Sequence, residues 1–189
     1  MNPTPVTLLQ RLCRQPDPET WRRFVDLYSP LLHRFALRIG VPSSDAADLV
    51  QDVFVALVPL MAGFQYDPSN SFWRFLTTIL RNKWRDRLRA AAVRPVVVGS
   101  DQLPEPADDC DPAEVLGREE YQRMLVGRAL QLMQSEFEAT TWRACLEHGV
   151  NGRPAAEVAQ ELGVTVNAVY LATSRVLRRL RADLRDLMH

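Results

Sequence analysis

The chain is short of cysteine, short of glycine and without a long hydrophobic run, and each shortage removes a class of protein. Its 3 cysteines in 189 residues, Cys13, Cys110 and Cys145, are odd in number and widely spaced, with no Cys-x-x-Cys pair. That excludes a disulfide-stapled scaffold and predicts a reduced, cytosolic chain. With 8 glycines there is no collagen-like repeat and no glycine-rich phosphate loop. The longest apolar run, Val53 to Phe64, covers 12 residues and contains Pro59, too short to span a bilayer. No basic segment followed by an apolar one opens the sequence, so no export signal is expected. Gly-x-Ser-x-Gly and His-Glu-x-x-His are also absent. Cys145-Leu146-Glu147-His148 sets a thiol and an imidazole one turn apart, but two lone ligands do not make a zinc site. The expectation is therefore no catalytic residue, no metal and no cofactor.

What the chain does have is 47% hydrophobic residues, enough for one ordinary domain or two small ones, and a charge balance that hides its distribution. The 23 basic and 23 acidic side chains cancel formally. Resolved along the chain, residues 72–94 carry a net +6, residues 95–120 a net −7 and residues 175–189 a net +3. A basic block points to an anionic partner or to a solvated helix face, and an acidic block to a solvated segment.

The hydrophobic pattern is helical nearly throughout and predicts an all-α fold. Asp17-Pro18 is an N-cap followed by a first-turn proline. Trp21, Phe24, Val25, Tyr28, Leu31, Leu32, Phe35 and Ile39 then form one buried face, with a kink or break expected at Pro30 and a stop at Gly40. A second helix, about Asp45 to Ala62, turns Leu49, Val50, Val53, Phe54, Leu57 and Met61 inward. Asp45, Asp48 and Asp52 share an exposed stripe that suits a partner or solvent better than a cation. A polar loop follows from Gly63 to Ser71. The third helix, about Phe72 to Ala92, should bury Phe72, Phe75, Leu76 and Ile79 and expose Arg74, Arg81, Arg85 and Arg89, with Asn82 beside them. Residues 93–112 read as an acidic, proline-containing linker in which Val96-Val97-Val98 is the only apolar run. Helix resumes at Asp111-Pro112-Ala113-Glu114, and segments near 113–134, 137–148, 154–162 and 166–187 read helical. The expected organisation is two small helical domains, 1–92 and 113–189, joined by the 93–112 linker.

Two stretches carry functional information. Pro154 to Val169 has the spacing of a helix-turn-helix: small Ala159 where helices cross, Gly163 in the turn, and Thr165 to cap the next helix. Val169, Ala172, Val176 and Leu180 form that helix's inner edge. Asn167, Tyr170, Leu171, Ser174, Arg175, Arg178 and Arg179 face outward, a surface that fits a DNA major groove. An ordinary helical hairpin would share the spacing. On the third helix, arginines beside Trp73, Trp84 and the loop residue Tyr66 combine phosphate attraction with flat rings, which suits single-stranded nucleic acid, although a tryptophan at helical spacing is more often core than base platform.

Two motifs in order then make the chain recognisable. Asp45-Ala46-Ala47-Asp48-Leu49-Val50-Gln51-Asp52-Val53-Phe54 resembles the Asp-Ala-Glu-Asp-Leu-Val-Gln-Glu-Val-Phe signature of bacterial RNA polymerase sigma factors. Tyr66-Asp67-Pro68 through Arg89 is similar to the promoter-melting segment that follows it, and Pro154 to Leu180 resembles the region that reads the −35 element. Ala47 and Asp52 depart from the two glutamates of the signature. With so short a connection between the halves, the resemblance is to the two-domain extracytoplasmic-function group of the sigma-70 family.

The resemblance implies a cytoplasmic promoter-specificity subunit with core RNA polymerase and promoter DNA as partners. It allows an anti-sigma factor, and no membrane contact. It places Asp45, Asp48, Leu49, Gln51, Asp52 and Phe54 in the polymerase-docking segment. Tyr66, Ser71, Arg74, Arg81, Asn82, Lys83, Arg85 and Arg89 fall in −10 binding. Thr165, Asn167, Tyr170, Leu171, Ser174, Arg175, Arg178 and Arg179 fall in −35 binding. Read from the residues alone, a stand-alone helix-turn-helix regulator of duplex operators is the alternative.

Overall fold

The computed structural model describes residues 8–14, 17–61, 71–93, 116–185 and 187, all but the side chains of 14, 92 and 93. The loop residues 64–70 with Tyr66, the acidic linker with Val96-Val97-Val98 and Cys110, and the cap at 111–114 lie outside the described residues. Every regular element within them is helical, as the all-α reading requires. The described residues form two compact units, Leu8–Leu125 with Leu187, and Val126–Arg185.

In the first unit, α1 (Leu8–Arg14), α2 (Pro18–Arg38), α3 (Ser43–Met61) and α4 (Phe72–Val93) precede the opening turns of α5 (Arg118–Met133). The sequence reading began at Asp17 and missed α1, although Leu8, Leu9 and Leu12 recur at helical spacing and are buried. Asp17 caps α2 as expected. The Thr20 N–H donates to its Oδ1 at 2.8 Å and the Thr20 hydroxyl to its Oδ2 at 2.6 Å. These bonds hold the Asp17 carboxyl below its usual range. Arg11 of α1 donates to the same hydroxyl at 3.1 Å, which ties the missed helix to the cap.

The expected break at Pro30 does not occur: α2 runs through it to Arg38. A proline deletes one N–H and crowds the preceding turn. Here Phe24, Leu27, Tyr28, Leu31, Leu32 and Phe35 are buried on both sides of it, and that burial outweighs one lost hydrogen bond. Phe24 joins three helices, with its ring centroid 6.0 Å from Phe54 of α3 and 5.9 Å from Phe72 of α4.

The inner face of α4 is rotated from the expected one. Phe72, Trp73, Leu76, Thr77, Leu80 and Trp84 are buried, while Phe75 and Ile79 are only half-buried. Trp73 is the reason. It meets Phe35 edge-on at 5.6 Å and stacks on Tyr121 of α5 at 4.8 Å with 24° between the planes. Glu120, one residue earlier, pairs with Arg34 at 2.6 Å and Arg38 at 2.9 Å. The first described turns of the expected second segment, Leu116–Leu125, therefore group with the N-terminal helices.

In the second unit, α5 passes into a short 3-10 turn (Gln134–Glu136). Then come α6 (Ala139–Ala144), a π-helical turn (Cys145–Val150), α7 (Ala155–Leu162) and α8 (Val166–Leu184). The helix expected over 137–148 is thus split into an α and a π portion. Ala144, Ala155, Val158, Ala159 and Val169 form the core, with Leu162, Val164 and Ala172 against it. The small residues let α6, α7 and α8 approach closely, which explains Ala159.

Gly149, at the end of the π turn, shows how close that approach is. A Cβ there would lie 2.9 Å from the Thr173 methyl of α8. Threonine is β-branched and stiff, so its methyl has little room to yield. Gly149→Ala is expected to cost about 1–3 kcal/mol by overpacking. Adding Thr173→Ser, which removes that methyl, should recover most of the loss. Urea unfolding of the two single variants and the double variant measures the coupling.

Candidate functional site

The structure offers three charged or polar helix surfaces, and the packing above decides which side chains each presents. On α3, the buried residues are Ala46, Leu49, Val50, Val53, Phe54, Leu57 and Met61. Leu49 and Phe54 of the docking signature are therefore core residues that fix the helix. Asp48 and Gln51 are exposed, and Asp45 is half-buried. Asp52 is half-buried and accepts from Arg87 of α4, with Nη2 at 2.7 Å and Nε at 3.2 Å. Among the described residues Asp48 has no ion pair. The same stripe continues into Val55 and Val58, 72% and 53% exposed. Sequence reasoning took these valines as part of an apolar run. Their register with Asp48 and Gln51 was the signal that they face outward.

On α4, Arg74, Asn82 and Arg89 are exposed and Arg85 is partly so, beside the exposed Thr78. Arg81 is partly withdrawn, with its guanidinium 5.3 Å from the Phe35 ring centroid. Lys83 projects from a different arc of the helix, and Ser71 precedes its first turn, where its carbonyl accepts from Phe75 N at 3.2 Å. Of the two roles open to the tryptophans, core packing is the one taken. Trp73 and Trp84, weighed as platforms for unstacked bases, are 4% and 5% exposed. They pack inward because α4 needs large apolar side chains on the face toward the core. What α4 presents is a basic and polar surface without described tryptophans.

The third surface is on α8. Thr165 caps it, its hydroxyl accepting from Ala168 N at 3.1 Å. Gly163, with φ of 66°, makes the left-handed turn between α7 and α8. That conformation costs a residue with a Cβ roughly 1 kcal/mol or more. Asn167, Leu171, Ser174 and Arg178 fall on one exposed line, with Arg175 beside it. Among the described residues, Arg175 and Arg178 have no ion pair. Tyr170 is 53% exposed, and the ring of His148 meets it edge-on at 5.2 Å. Arg179 is placed differently: it is turned aside and held by Glu136 at 3.2 Å and by Asp183.

A charge network braces α7 behind this surface. Arg153 bridges Glu147 at 3.1 Å and Glu161 at 2.8 Å, and Glu161 also pairs with Arg143. The hydrogen bond from Arg153 holds the Glu161 carboxyl below its usual range. The Arg153 carbonyl in turn accepts from His148 Nδ1 at 2.9 Å, which fixes the ring. Cys145 is fully buried and burial pushes its thiol up, so it is not a poised nucleophile.

Residues 24–94 match the Sigma-70 region 2 family, a span that takes in α3, α4 and most of α2. The chain is 32% identical over 143 residues to the ECF RNA polymerase sigma factor ShbA of Streptomyces griseus, covering 71% of this chain and 69% of that one. The chain belongs to the extracytoplasmic-function sigma factors of the sigma-70 family. It is 29% identical over 168 residues to SigL of Mycobacterium tuberculosis, spanning 88% of this chain and 89% of the relative. It is also 26% identical over 185 residues to the sigma factor NccH of Alcaligenes xylosoxydans xylosoxydans, at 98% and 97% coverage. In this sigma factor no described helix is long and apolar enough to cross a membrane.

The brace on α7 has a pH signature. A carboxyl held below its usual range contributes stability above that range and loses it as pH falls through its lowered value. Glu161→Gln is therefore expected to lower the melting temperature at pH 7, by a margin that shrinks as pH falls below the usual carboxylate range. Because the pair is exposed, the difference at pH 7 should be small, and thermal melts across that pH range check it.

Proposed function

We propose that this sigma factor, a promoter-specificity subunit of RNA polymerase, divides its work among the three surfaces. The exposed stripe of α3, Asp48, Gln51, Val55 and Val58, docks core polymerase. Asp45 and Asp52 lie at its edge, and Leu49 and Phe54 hold it from inside. The basic face of α4, with Arg74, Arg81, Asn82, Arg85 and Arg89, holds −10 DNA as it opens. Ser71, Lys83 and the loop with Tyr66 complete that role. The pair α7 and α8 is a DNA-binding helix-turn-helix, with α8 docked on the −35 duplex. The segments 1–92 and 113–189 carry these tasks, joined by residues 93–112. Control by an anti-sigma partner is part of the same proposal.

The observation that carries the reading is the contrast on α8. Arg178 lies on the exposed line and Arg175 beside it, both without carboxylate partners among the described residues, while Arg179 is turned aside and neutralised. Unpaired arginines next to Asn167 and Ser174 suit phosphates and base edges. No chemistry is required of the chain, since polymerase forms the phosphodiester bond.

The test is assembly of the full chain with core polymerase. The chain should co-elute with core and support promoter-dependent initiation. A chain that binds duplex DNA but not core would be a stand-alone regulator. Within the holoenzyme, Asp48→Lys should weaken the complex with core about tenfold, or ~1.4 kcal/mol. Replacing Arg85 and Arg89 with alanine should slow promoter opening and flatten its salt dependence while leaving −35 duplex binding nearly unchanged. Permanganate footprinting of the opened strand and filter binding of the duplex separate the two effects.

A further inference from the structure

The outward face of α8 is not uniformly polar. Leu171 is 59% exposed, and its neighbours at the same end of the helix, Tyr170 and Val166, are 53% and 41% exposed. Three apolar side chains gathered at one end of a polar helix face form a patch, and a patch, unlike a single exposed leucine, marks a contact surface. Leu171 lies on the line of Asn167, Ser174 and Arg178, four residues after the first and three and seven before the others. Asn167 and Leu171 are thus on successive turns, about 6 Å apart along the helix axis. Any surface that meets one meets the other.

The charges beside it select the occupant. Arg175 and Arg178 follow the leucine by one and two turns, without ion pairs among the described residues, and Arg181 is exposed on the next turn. An apolar side chain with unpaired arginines on its C-terminal side fits a surface that is anionic at its edge and offers an apolar group beside that edge. In the DNA major groove the phosphates supply the first and the thymine C5-methyl the second. Asparagine on the same line matches the N6 and N7 of adenine.

We infer that Leu171 is a specificity residue that reads a thymine methyl in the upstream promoter element, with Asn167 reading an adjacent adenine, so that this element contains A·T pairs. The inference rests on the −35 reading of α8 and adds the class of base that it selects. Tyr170 is a brace in this arrangement, since the His148 ring steadies it beside the leucine.

The experiment uses the holoenzyme assembled from the full chain and core polymerase. Duplexes are first selected from a random-sequence library. The selected upstream element is then resynthesised with deoxyuridine in place of thymidine at each position in turn, which removes only the methyl. At one or two positions the substitution should weaken binding about fourfold, the loss expected for one buried methyl group. The Leu171→Ala holoenzyme should bind thymine and uracil duplexes alike, and the exposure of Leu171 makes an effect on folding small. Uracil that is neutral at every position, together with weakened binding by Arg178→Ala, would overturn the inference and leave the −35 reading standing. Methyl discrimination that survives in Leu171→Ala would also overturn it. So would a Leu171→Ala loss confined to assembly with core, which would make the leucine a protein contact. Selection that yields no upstream element at all would overturn the −35 reading itself.

Discussion

The first unit depends on the burial of Phe24 where α2, α3 and α4 meet. Its ring lies within about 6 Å of Tyr28, Phe54 and Phe72, so one side chain sets the rotation of all three helices. Aromatic contacts of this kind add about 0.5–1.5 kcal/mol each beyond the area they bury. Their larger effect is geometric. Once Phe54 and Phe72 point inward, Asp48, Gln51 and Val55 must point out from α3, and Arg74, Thr78 and Arg85 from α4. The exposed stripe of α3 and the basic face of α4 are the reverse sides of one aromatic cluster.

How much of this was legible in the sequence depended on the range of the deciding contact. Asp17 and Thr165 were readable as caps because a cap is a bond between residues three apart. Gly163 was readable because a turn between two short helices needs a left-handed residue. The outward line of α8 followed from periodicity alone. The rotation of α4 was not readable, because it is set by Tyr121, which is 48 residues away from Trp73 in sequence and stacks on it in space. No pattern within α4 announces that partner, so the tryptophans looked free to serve as platforms. Pro30 misled for a related reason: its local penalty is real, but the burial on either side of it comes from other helices.

The second unit is built on the opposite principle. Where the first is filled by large rings, the crossing of α6, α7 and α8 in the second is lined by Ala144, Ala155, Ala159 and Val169, and the backbones approach until Gly149 has no space for a methyl group. Small residues at a crossing bury little area each, so such a core is weaker per residue. The chain compensates with directional contacts: the Thr165 cap, the Arg153 bridge to Glu147 and Glu161, and the bond from His148 to the Arg153 carbonyl. These interactions contribute orientation more than stability, since exposed ion pairs are worth roughly 0–1 kcal/mol. Orientation is what a helix needs if its side chains are to meet base edges in register.

The charge balance acquires a different meaning once partners are assigned. Residues 121–174 count as slightly acidic by sequence, which argues against a nucleic-acid surface in the second unit. Glu136, Glu147 and Glu161 from that span, with Asp183 of α8, sit in pairs with Arg179, Arg153 and Arg143. Their charge is largely cancelled within a few ångströms, and its field at the exposed line of α8 is correspondingly weak. Arg175 and Arg178 are not cancelled in this way. The potential along that line therefore follows these arginines more than the formal sum of the segment. Asp48 follows the same rule with the opposite sign, since the neighbouring Asp52 is neutralised by Arg87 and Asp48 is not. The formal net charge of zero thus conceals both carboxylates committed to ion pairs, such as Asp52, Glu136 and Glu161, and uncommitted charges such as Asp48 on α3 and Arg175 and Arg178 on α8.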